Sequence, residues 1–479
     1  MLEAMTPKSF ILNDRERSVA RSAGTVLLDV LHDDFALAGT KEGCREGDCG
    51  TCVVLLGTPG PDGVRYTVVN SCLLPLGDVA GRHVVTIEGL NQDALTPVQK
   101  ALVEEGAIQC GFCTPGLVIA LTGFLLGGGA VSEADGIAAL GGNICRCTGH
   151  VAIRRAIARI AGQFAGLGPA EVKPPNARMA ALVGEGVLPR YFLDIPARLK
   201  SLAAASRTVS LRPPVLVGGG TDLFVTQAEK LREADLSFLS RRPDLHGVRV
   251  EGGECRIGAA TPLSDIEASP VIRNMLPGLA RDFARIAALP IRNRATLAGN
   301  IVNASPAADL SIILLALNAR LVLMKDGTRR TVLLRDFFRA YKVLDLAAEE
   351  MVSEIRFPVP ETGVLFHFEK VARRERLDIA SVNSAIQVRV KDGLIVDGHV
   401  SAGSVAPIPL YLWKTSEYLH GRPVSAGTAR EAAAIAAREI SPISDVRGSA
   451  EYKRALLPRL ILAHFLSLFP TLIREEDVA

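Results

Sequence analysis

Cysteines are the residues with the clearest chemical meaning in this chain, and they are unevenly placed. Of nine in the 479 residues, only Cys255 lies beyond residue 147. Clustered cysteines in a long chain indicate metal or redox chemistry, whereas disulfide frameworks are typical of short secreted domains. We therefore expect the first third of the chain to hold metal centres.

The first set of cysteines lies in a glycine-rich loop. Its spacing is C-x4-C-x2-C with a fourth cysteine 20 residues further on, which is the plant-type pattern for a two-iron two-sulfur (2Fe-2S) cluster. The glycines let the backbone bend around a small inorganic core. A four-cysteine zinc site is the alternative, but zinc favours two short pairs over three ligands in one loop. The predicted ligands are Cys44, Cys49, Cys52 and Cys72.

The second set has the spacing C-x2-C and, after 31 residues, C-x-C. Each pair precedes a predicted helix, whose positive N-terminal end favours thiolates. Taken alone, this set also suits zinc. Beside the first set we interpret it as a second 2Fe-2S cluster, because two one-electron centres form a path for electrons. Its predicted ligands are Cys110, Cys113, Cys145 and Cys147.

The elements around these cysteines are predicted to change from strands to helices. The first 91 residues favour short strands, with a hairpin around Gly57–Gly63 and one helix from Thr25 to Asp33 capped by Thr25. Four helices follow, the first capped by Thr96, and Thr114 repeats that type of start. Strand and helix patterns then alternate. The fold class is therefore multidomain α+β.

A second kind of site is predicted in the later part of the chain. Residues Leu216–Leu223 form a strand that runs into a glycine turn, where backbone N–H groups can approach a diphosphate. This is not the Rossmann pattern, and by itself the turn is equally a plain one. Small and amide residues in Pro290–Ile301 and beyond offer further hydrogen bonds, from Thr296, Asn300, Ser305 and Asp309; a polar loop before the Asp309 helix is the alternative interpretation.

Composition excludes several other classes. Apolar residues make up 48% and charged residues 22%, as in folded globular proteins, and the net charge of +3 gives no support for nucleic-acid binding. The first residues lack the features of a secretory signal, so we expect a cytoplasmic protein. In the uncharged stretch Thr114–Ser132 the apolar run Leu117–Leu126 is only ten residues long and is followed by three consecutive glycines, so we expect no membrane span there.

The two cysteine sets resemble the iron-sulfur module of the xanthine dehydrogenase and molybdenum hydroxylase family, and the segment from Pro290 to Asp309 resembles the FAD domain of the same family. The resemblance implies a ferredoxin-like β-grasp domain, a four-helix 2Fe-2S domain, an α/β FAD-binding domain and a C-terminal α+β domain. The predicted limits are 1–91 and 92–165 for the two iron-sulfur domains, 166–185 for a linker, 186–362 for the FAD-binding domain and 363–479 for the C-terminal domain of the flavoprotein module.

The resemblance also extends the predicted cofactor site. It carries over Ile286, where family members often place an aromatic residue, a backbone contact at Val352 and a cationic contact from Lys370. Gln109 resembles a glutamine that family members direct towards a molybdenum cofactor. The complete set of predicted FAD contacts is Leu216, Val217, Gly218, Gly219, Gly220, Thr221, Asp222, Leu223, Ile286, Thr296, Gly299, Asn300, Ser305, Asp309, Val352 and Lys370.

The resemblance implies the role of an electron carrier. We find no molybdopterin-binding domain in the sequence and no constellation of catalytic acid, base or nucleophile, so we expect a large molybdenum subunit as partner, in a heterotetramer of two pairs. That partner would hydroxylate hypoxanthine or xanthine, and two 2Fe-2S clusters, FAD and NAD+ would take the electrons. A relative that oxidises aldehydes or N-heterocycles is the alternative. A zinc-stabilised interaction protein is the alternative of a different class.

Overall fold

The computed structural model describes residues 7–168, 174–203 and 215–478. Part of the predicted linker, 169–173, lies outside the described residues. The chain divides into two compact units. The first extends to Arg241 and also includes Ala287–Arg294, whereas the second comprises Arg242–Ile286 and the chain from Ala295 onwards.

The first unit begins with a five-stranded sheet of order β2-β1-β5-β3-β4, in which β1 and β5 are parallel and the other neighbours are antiparallel. Its elements are β1 (Lys8–Leu12), β2 (Arg15–Val19), α1 (Leu27–Asp33), β3 (Val53–Gly60), β4 (Gly63–Asn70), α2 (Leu76–Val79) and β5 (His83–Val85). The predicted hairpin is present, and its pairing runs from Val53 with Asn70 to Gly60 with Gly63. The sheet therefore presents the cysteine loop just before β3 and the fourth cysteine just after β4.

Four helices follow in the same unit, as predicted. They are α3 (Pro97–Glu104), α4 (Thr114–Leu126), α5 (Glu133–Ala139) and α6 (Val151–Phe164). Thr96 caps α3 in a capping box with Gln99, which satisfies the free amides of the first turn. Apolar residues of these helices share one core with the strands β3 and β4.

The remainder of the first unit contains short elements. They are α7 (Pro175–Gly184), α8 (Ile195–Ala203), β6 (Val215–Val217), α9 (Leu223–Thr226), α10 (Ala228–Glu233) and β7 (Leu236–Phe238). Strands β6 and β7 are parallel and pair over three residues. The predicted strand before the glycine turn is thus β6, and the turn leads directly into α9.

The second unit contains two larger sheets. The first has the order β11-β10-β14-β9-β8, and the second has the order β15-β16-β17-β18 with β19 also paired to β17. The first elements of this unit are β8 (Val248–Glu251), β9 (Glu254–Gly258), α11 (Leu263–Ala268), α12 (Pro270–Met275) and α13 (Leu279–Phe283). Helix α14 (Leu289–Arg292), which comes next in the chain, belongs to the first unit. The second unit then continues with α15 (Leu297–Asn303) and α16 (Asp309–Ala316).

The later strands and helices complete this unit. They are β10 (Arg320–Lys325), β11 (Thr328–Leu333), α17 (Leu334–Phe337), β12 (Phe338–Ala340), β13 (Val343–Leu344), β14 (Met351–Pro358), β15 (Val364–Val371), β16 (Val382–Lys391), β17 (Leu394–Gly403), β18 (Leu410–Tyr411), α18 (Trp413–Leu419), β19 (Arg422–Pro423), α19 (Ala426–Glu439), α20 (Ala450–Leu468) and α21 (Glu475–Val478). The predicted multidomain α+β class is confirmed.

Two predicted helix starts are wrong. Helix α1 begins at Leu27 rather than Thr25, and no side chain caps it. Val26 forms a bridge with Pro75, and the Leu27 amide donates to the Leu74 carbonyl, so a neighbouring segment replaces the side-chain cap. Helix α4 begins at Thr114 itself, with Cys113 as N-cap.

Within the described residues, no helix is both long enough and apolar enough to cross a bilayer.

Candidate metal and cofactor sites

The first cysteine loop requires glycine where its backbone approaches other groups. Gly47 and Gly50 have φ angles of +82° and +66°, which side chains with a Cβ rarely adopt. A Cβ on Gly50 would also lie 2.2 Å from the carbonyl oxygen of Gly142. The glycine density of the predicted loop therefore has a steric cause.

The sulfurs of the first set approach one another in pairs. The Sγ atoms of Cys52 and Cys72 are 3.3 Å apart, and the thiols of Cys44 and Cys49 interact with each other. In a 2Fe-2S cluster each iron takes two thiolates, so two pairs of sulfurs fit the two irons. Within the described residues, no three His, Cys, Asp or Glu side chains converge as a site for a single metal ion.

Hydrogen bonds favour negative charge on Cys52 in the first set, whereas burial and the neighbouring thiol raise the pKa of Cys49 and of Cys72. The contact with the Cys72 thiol, assisted by the amide of Asn70, lowers the pKa of Cys52. The backbone N–H of Glu46 donates to Cys44 Sγ over 3.3 Å. Such donors stabilise thiolates, which are the form that binds iron. The residues of the loop therefore fit an anionic iron-sulfur core.

The second set shows the same pairing in the loops that precede α4 and α6. Cys110 Sγ and Cys147 Sγ are 3.5 Å apart, and Cys113 interacts with Cys145. Cys113 is the N-cap of α4, and Cys147 lies four residues before the start of α6. The structure thus brings the four predicted ligands together in two pairs, and they fit a second cluster of the same type.

The two cysteine sites differ in exposure. Cys52 and Cys72 are buried, whereas Cys110 and Cys147 are exposed. We therefore expect the second cluster to bleach first when the reconstituted chain is incubated with ferricyanide or an iron chelator, since reagents reach its ligands directly. Electron paramagnetic resonance (EPR) of samples reduced at intervals follows the two signals separately. Simultaneous loss of both signals would contradict this prediction.

Hydrogen bonds join the two cysteine loops directly. The backbone N–H of Ile144 donates to the carbonyl of Cys49 over 3.0 Å, and Asn143 Nδ2 donates to the carbonyl of Gly50 over 2.8 Å. Ile144 is covalently next to Cys145. Only Ile144 and one hydrogen bond therefore separate Cys49, a predicted ligand of the first cluster, from Cys145, a predicted ligand of the second.

The predicted glycine turn lies in the first unit together with the first cysteine set. Gly220 has a φ angle of +76°, and a Cβ there would come within 3.0 Å of Phe224. Val217 before the turn and Phe224 after it share one apolar cluster with Cys52 and Cys72. The turn is thus packed beside the buried pair of the first set.

The other predicted FAD contacts lie in the second unit, and several already bond to protein groups. Thr296 caps α15 by accepting the Gly299 amide, and Asn300 accepts the hydroxyl of Ser311. The Ser305 hydroxyl accepts the amide of Ala307. Ile286 and Val352 are buried, and Val352 lies in β14 opposite Leu323. The role of these residues as FAD ligands stays a prediction.

Lys370 and Asp309 form a buried ion pair. Lys370 Nζ is 2.7 Å from Asp309 Oδ2 and also donates to the carbonyl of Arg285. The other carboxylate oxygen of Asp309 accepts from Asn383. Burial raises the pKa of the Asp309 carboxyl, and Lys370 opposes that shift by stabilising its charge. Both predicted FAD contacts thus bind each other in the structure.

A buried carboxyl near this pair predicts a pH effect on stability. Burial raises the pKa of Asp282 to about 6, although Arg281 and Arg285 oppose the shift, while Glu369 adds to it. Its unfolded value is about 3.9. The contribution of neutral Asp282 to stability is present below about pH 4 and is lost as pH rises through 6. We expect the melting temperature of Asp282→Asn, measured relative to that of the wild type, to rise from pH 5 to pH 7, because asparagine does not ionise. The same difference in melting temperature at both pH values would contradict this prediction.

Sequence reasoning missed three polar residues with structural roles at these sites. Asn143 joins the two loops, and Asp78 forms an ion pair with Arg294 over 2.7 Å. Asn143 and Arg294 lie inside the motifs, but Asp78 lies in none. The sequence signal that indicates Asp78 is its place as the lone acidic residue of the apolar stretch 73–79.

Comparison with known proteins identifies domains along most of the chain. Residues 10–75 match the 2Fe-2S iron-sulfur cluster binding domain, and residues 86–158 match a 2Fe-2S binding domain. Residues 193–360 match the FAD binding domain in molybdopterin dehydrogenase, and 367–468 match the CO dehydrogenase flavoprotein C-terminal domain. The chain is thus an iron-sulfur flavoprotein.

Longer relatives match nearly the whole chain. The chain is 28% identical to xanthine dehydrogenase/oxidase of Rattus norvegicus and 27% identical to aldehyde oxidase 1 of Bos taurus, with 94% and 93% of the chain covered. It spans 38% of the length of either relative. A carbon monoxide dehydrogenase structure from Hydrogenophaga pseudoflava matches with a TM-score of 0.52 at 29% identity, covering 55% of this chain and 92% of that one. Over most of its length the chain is therefore similar to a part of these longer relatives.

Proposed function

We propose that the chain is the iron-sulfur and FAD subunit of a xanthine dehydrogenase. When bound, the two 2Fe-2S clusters and FAD would carry electrons from a molybdopterin-containing large subunit, which hydroxylates hypoxanthine or xanthine, to NAD+. The similarity to xanthine dehydrogenases supports this choice. The protein's part is to hold the redox groups in order and to shield them from water.

The hydrogen bond between Ile144 and Cys49 is the observation that carries the electron-transfer proposal. Electron tunnelling needs short separations, and this bond joins the backbones beside two predicted ligands over 3.0 Å. A chain with two unrelated zinc sites has no need for such a connection. The backbone here gives the two sites a fixed spacing.

The surroundings of each site support an order of transfer. The buried first pair, Cys52 and Cys72, shares apolar packing with the residues flanking the glycine turn. The second pair is exposed, and large apolar side chains around it are exposed as well, among them Phe112, Ile144 and Val151. Exposed apolar residues beside a polar site favour a partner surface. Electrons would therefore enter at the second site and leave at the flavin.

Gln109 supports the same direction of entry. It is exposed, next to exposed Cys110, at the sequence position that resembles a glutamine directed towards a molybdenum cofactor. We propose that this face binds the large subunit, in a heterotetramer of two pairs in the cytoplasm. The predicted domain limits and FAD contacts belong to the same proposal.

Cofactor analysis of the purified chain tests the proposal first. A visible spectrum with iron, sulfide, zinc and flavin measured on one sample should give four irons, four sulfides and one FAD per chain. Two distinct EPR signals should appear on reduction. Zinc in place of iron, with no flavin, would instead favour the zinc-stabilised interaction protein.

The acceptor and substrate need a second experiment. The photoreduced holo-chain should form NADH when mixed with NAD+ in a stopped-flow instrument, and fast oxygen reduction without NADH would point to an oxidase. The similarity to aldehyde oxidase 1 favours another molybdenum hydroxylase as the second candidate. Co-purification of the large subunit and assay with xanthine, an aldehyde and an N-heterocycle would separate the two.

A further inference from the structure

A buried cluster of charged residues lies beneath the glycine turn of the first unit. Its centre is Asp78, whose carboxylate is inaccessible to solvent. Arg294 Nη2 and Arg82 Nη2 lie 2.7 Å and 3.2 Å from the Asp78 oxygens, and Ser240 Oγ donates to Asp78 Oδ1 over 2.6 Å. These neighbours hold the pKa of Asp78 well below its usual range despite its burial. Asp78 is therefore charged.

Arg294 connects this cluster to the turn. Its Nε donates to the carbonyl oxygen of Gly219 over 3.1 Å, and its Nη2 contacts Asp78. One planar guanidinium thus fixes both partners in a single orientation, which the single ammonium of a lysine cannot do. Asp78 lies six residues after Cys72, so the chain also connects the charged cluster to the first cysteine set.

The bond to Gly219 has a directional consequence for the turn. In a trans peptide the C=O and the following N–H point to opposite sides. Because Arg294 holds the Gly219 carbonyl towards the buried cluster, the N–H of Gly220 is directed away from it. A hydrogen bond to the carbonyl also polarises the peptide and makes that N–H a stronger donor.

We propose that Asp78 and Arg294 are positioning residues for FAD, which orient the Gly219–Gly220 peptide to donate to the FAD diphosphate without touching FAD themselves. The proposal rests on the proposed function, since it takes the turn to be the diphosphate site. Asp78 belongs to the ferredoxin-like part of the chain. FAD affinity therefore depends on a residue outside the FAD-binding domain.

The test measures FAD affinity in the full chain with both clusters present. FAD is removed with a chaotrope, and the dissociation constant is obtained from the quenching of flavin fluorescence on titration. The variants are Arg294→Lys, which keeps the charge but has no Nε to donate to Gly219, and Asp78→Asn. The matched control is Arg178→Lys, because Arg178 is equally buried in the first unit but binds the carbonyls of Leu125 and Gly168.

Both variants should weaken FAD binding about tenfold, the usual consequence of losing one charge-assisted hydrogen bond. The ³¹P resonances of bound FAD should shift in Arg294→Lys, while iron content and both EPR signals stay unchanged. Arg178→Lys should lower the melting temperature but leave FAD affinity within about twofold of the wild type.

Unchanged affinity and ³¹P resonances in Arg294→Lys would overturn the inference and leave the proposed function intact. Equal weakening by Arg178→Lys would also overturn it, because general destabilisation would then explain the result. A wild-type chain that binds iron but no FAD would overturn the proposed function together with this inference.

Discussion

Replacing Cys72 with alanine is expected to remove one whole cluster and leave the other. Iron should fall from four to two per chain, given one 2Fe-2S site in each of the two matched domains. Cys72 is paired with Cys52 at 3.3 Å, so its loss takes one of two thiolates from a single iron. An iron with an incomplete ligand set does not hold its bridging sulfides. Metal analysis and EPR of the reduced variant measure the effect, and only the signal of the second cluster should remain.

Cys255→Ala is the matched control for this substitution. Cys255 is buried in β9, within the apolar core of the second unit. Cys255→Ala should lower the free energy of unfolding by about 1 kcal/mol, because it leaves a small cavity, and it should leave all four irons in place. Full iron content in Cys72→Ala would contradict the ligand assignment, and iron loss in Cys255→Ala would show that the assay reports misfolding.

The second large effect is expected for Lys370→Met. This substitution leaves the Asp309 carboxylate buried and without the ammonium 2.7 Å away. Breaking one side of a buried pair typically costs about 3–5 kcal/mol of unfolding free energy. Chemical denaturation measures this loss. In the double variant with Asp309→Leu, no uncompensated charge remains, so we expect most of the stability to return.

FAD content separates the structural role of the pair from its predicted cofactor role. If Lys370 and Asp309 contact FAD, the double variant should fold well and still contain little FAD. Lys453→Met is the matched control, because Lys453 is buried in the same unit and pairs with Asp445 at 2.8 Å. It should lose stability and retain FAD. Normal FAD in the double variant would restrict the pair to a structural role.

The sequence by itself determined which residues could bind cofactors and how the nearby backbone bends. The spacing from Cys44 to Cys52 is local, and the positive φ angles of Gly47 and Gly50 follow from that tight loop. The hairpin, the helix that Thr96 caps and the strand before the glycine turn were predictable for the same reason. Each depends on residues that are close in the chain, where spacing alone carries the information.

Local patterns were insufficient where another segment satisfied the backbone. Thr25 had the side chain of a good N-cap, but the Leu27 amide is bonded to Leu74, so the helix begins later. Propensity predicts Thr25 as the cap, but a tertiary contact takes the place of that cap. Propensity is a weak guide at such positions because it contains no information about the neighbouring segment.

Only the tertiary structure decided how the sites are arranged. It paired Cys52 with Cys72 and Cys110 with Cys147, left one pair buried and the other exposed, and joined Ile144 to Cys49. It also placed residues 287–294 in the first unit, where Arg294 meets Asp78, which lies more than 200 positions earlier. The physical reason is that burial and long-range pairing depend on how whole elements pack, and residue spacing along the chain does not encode that packing.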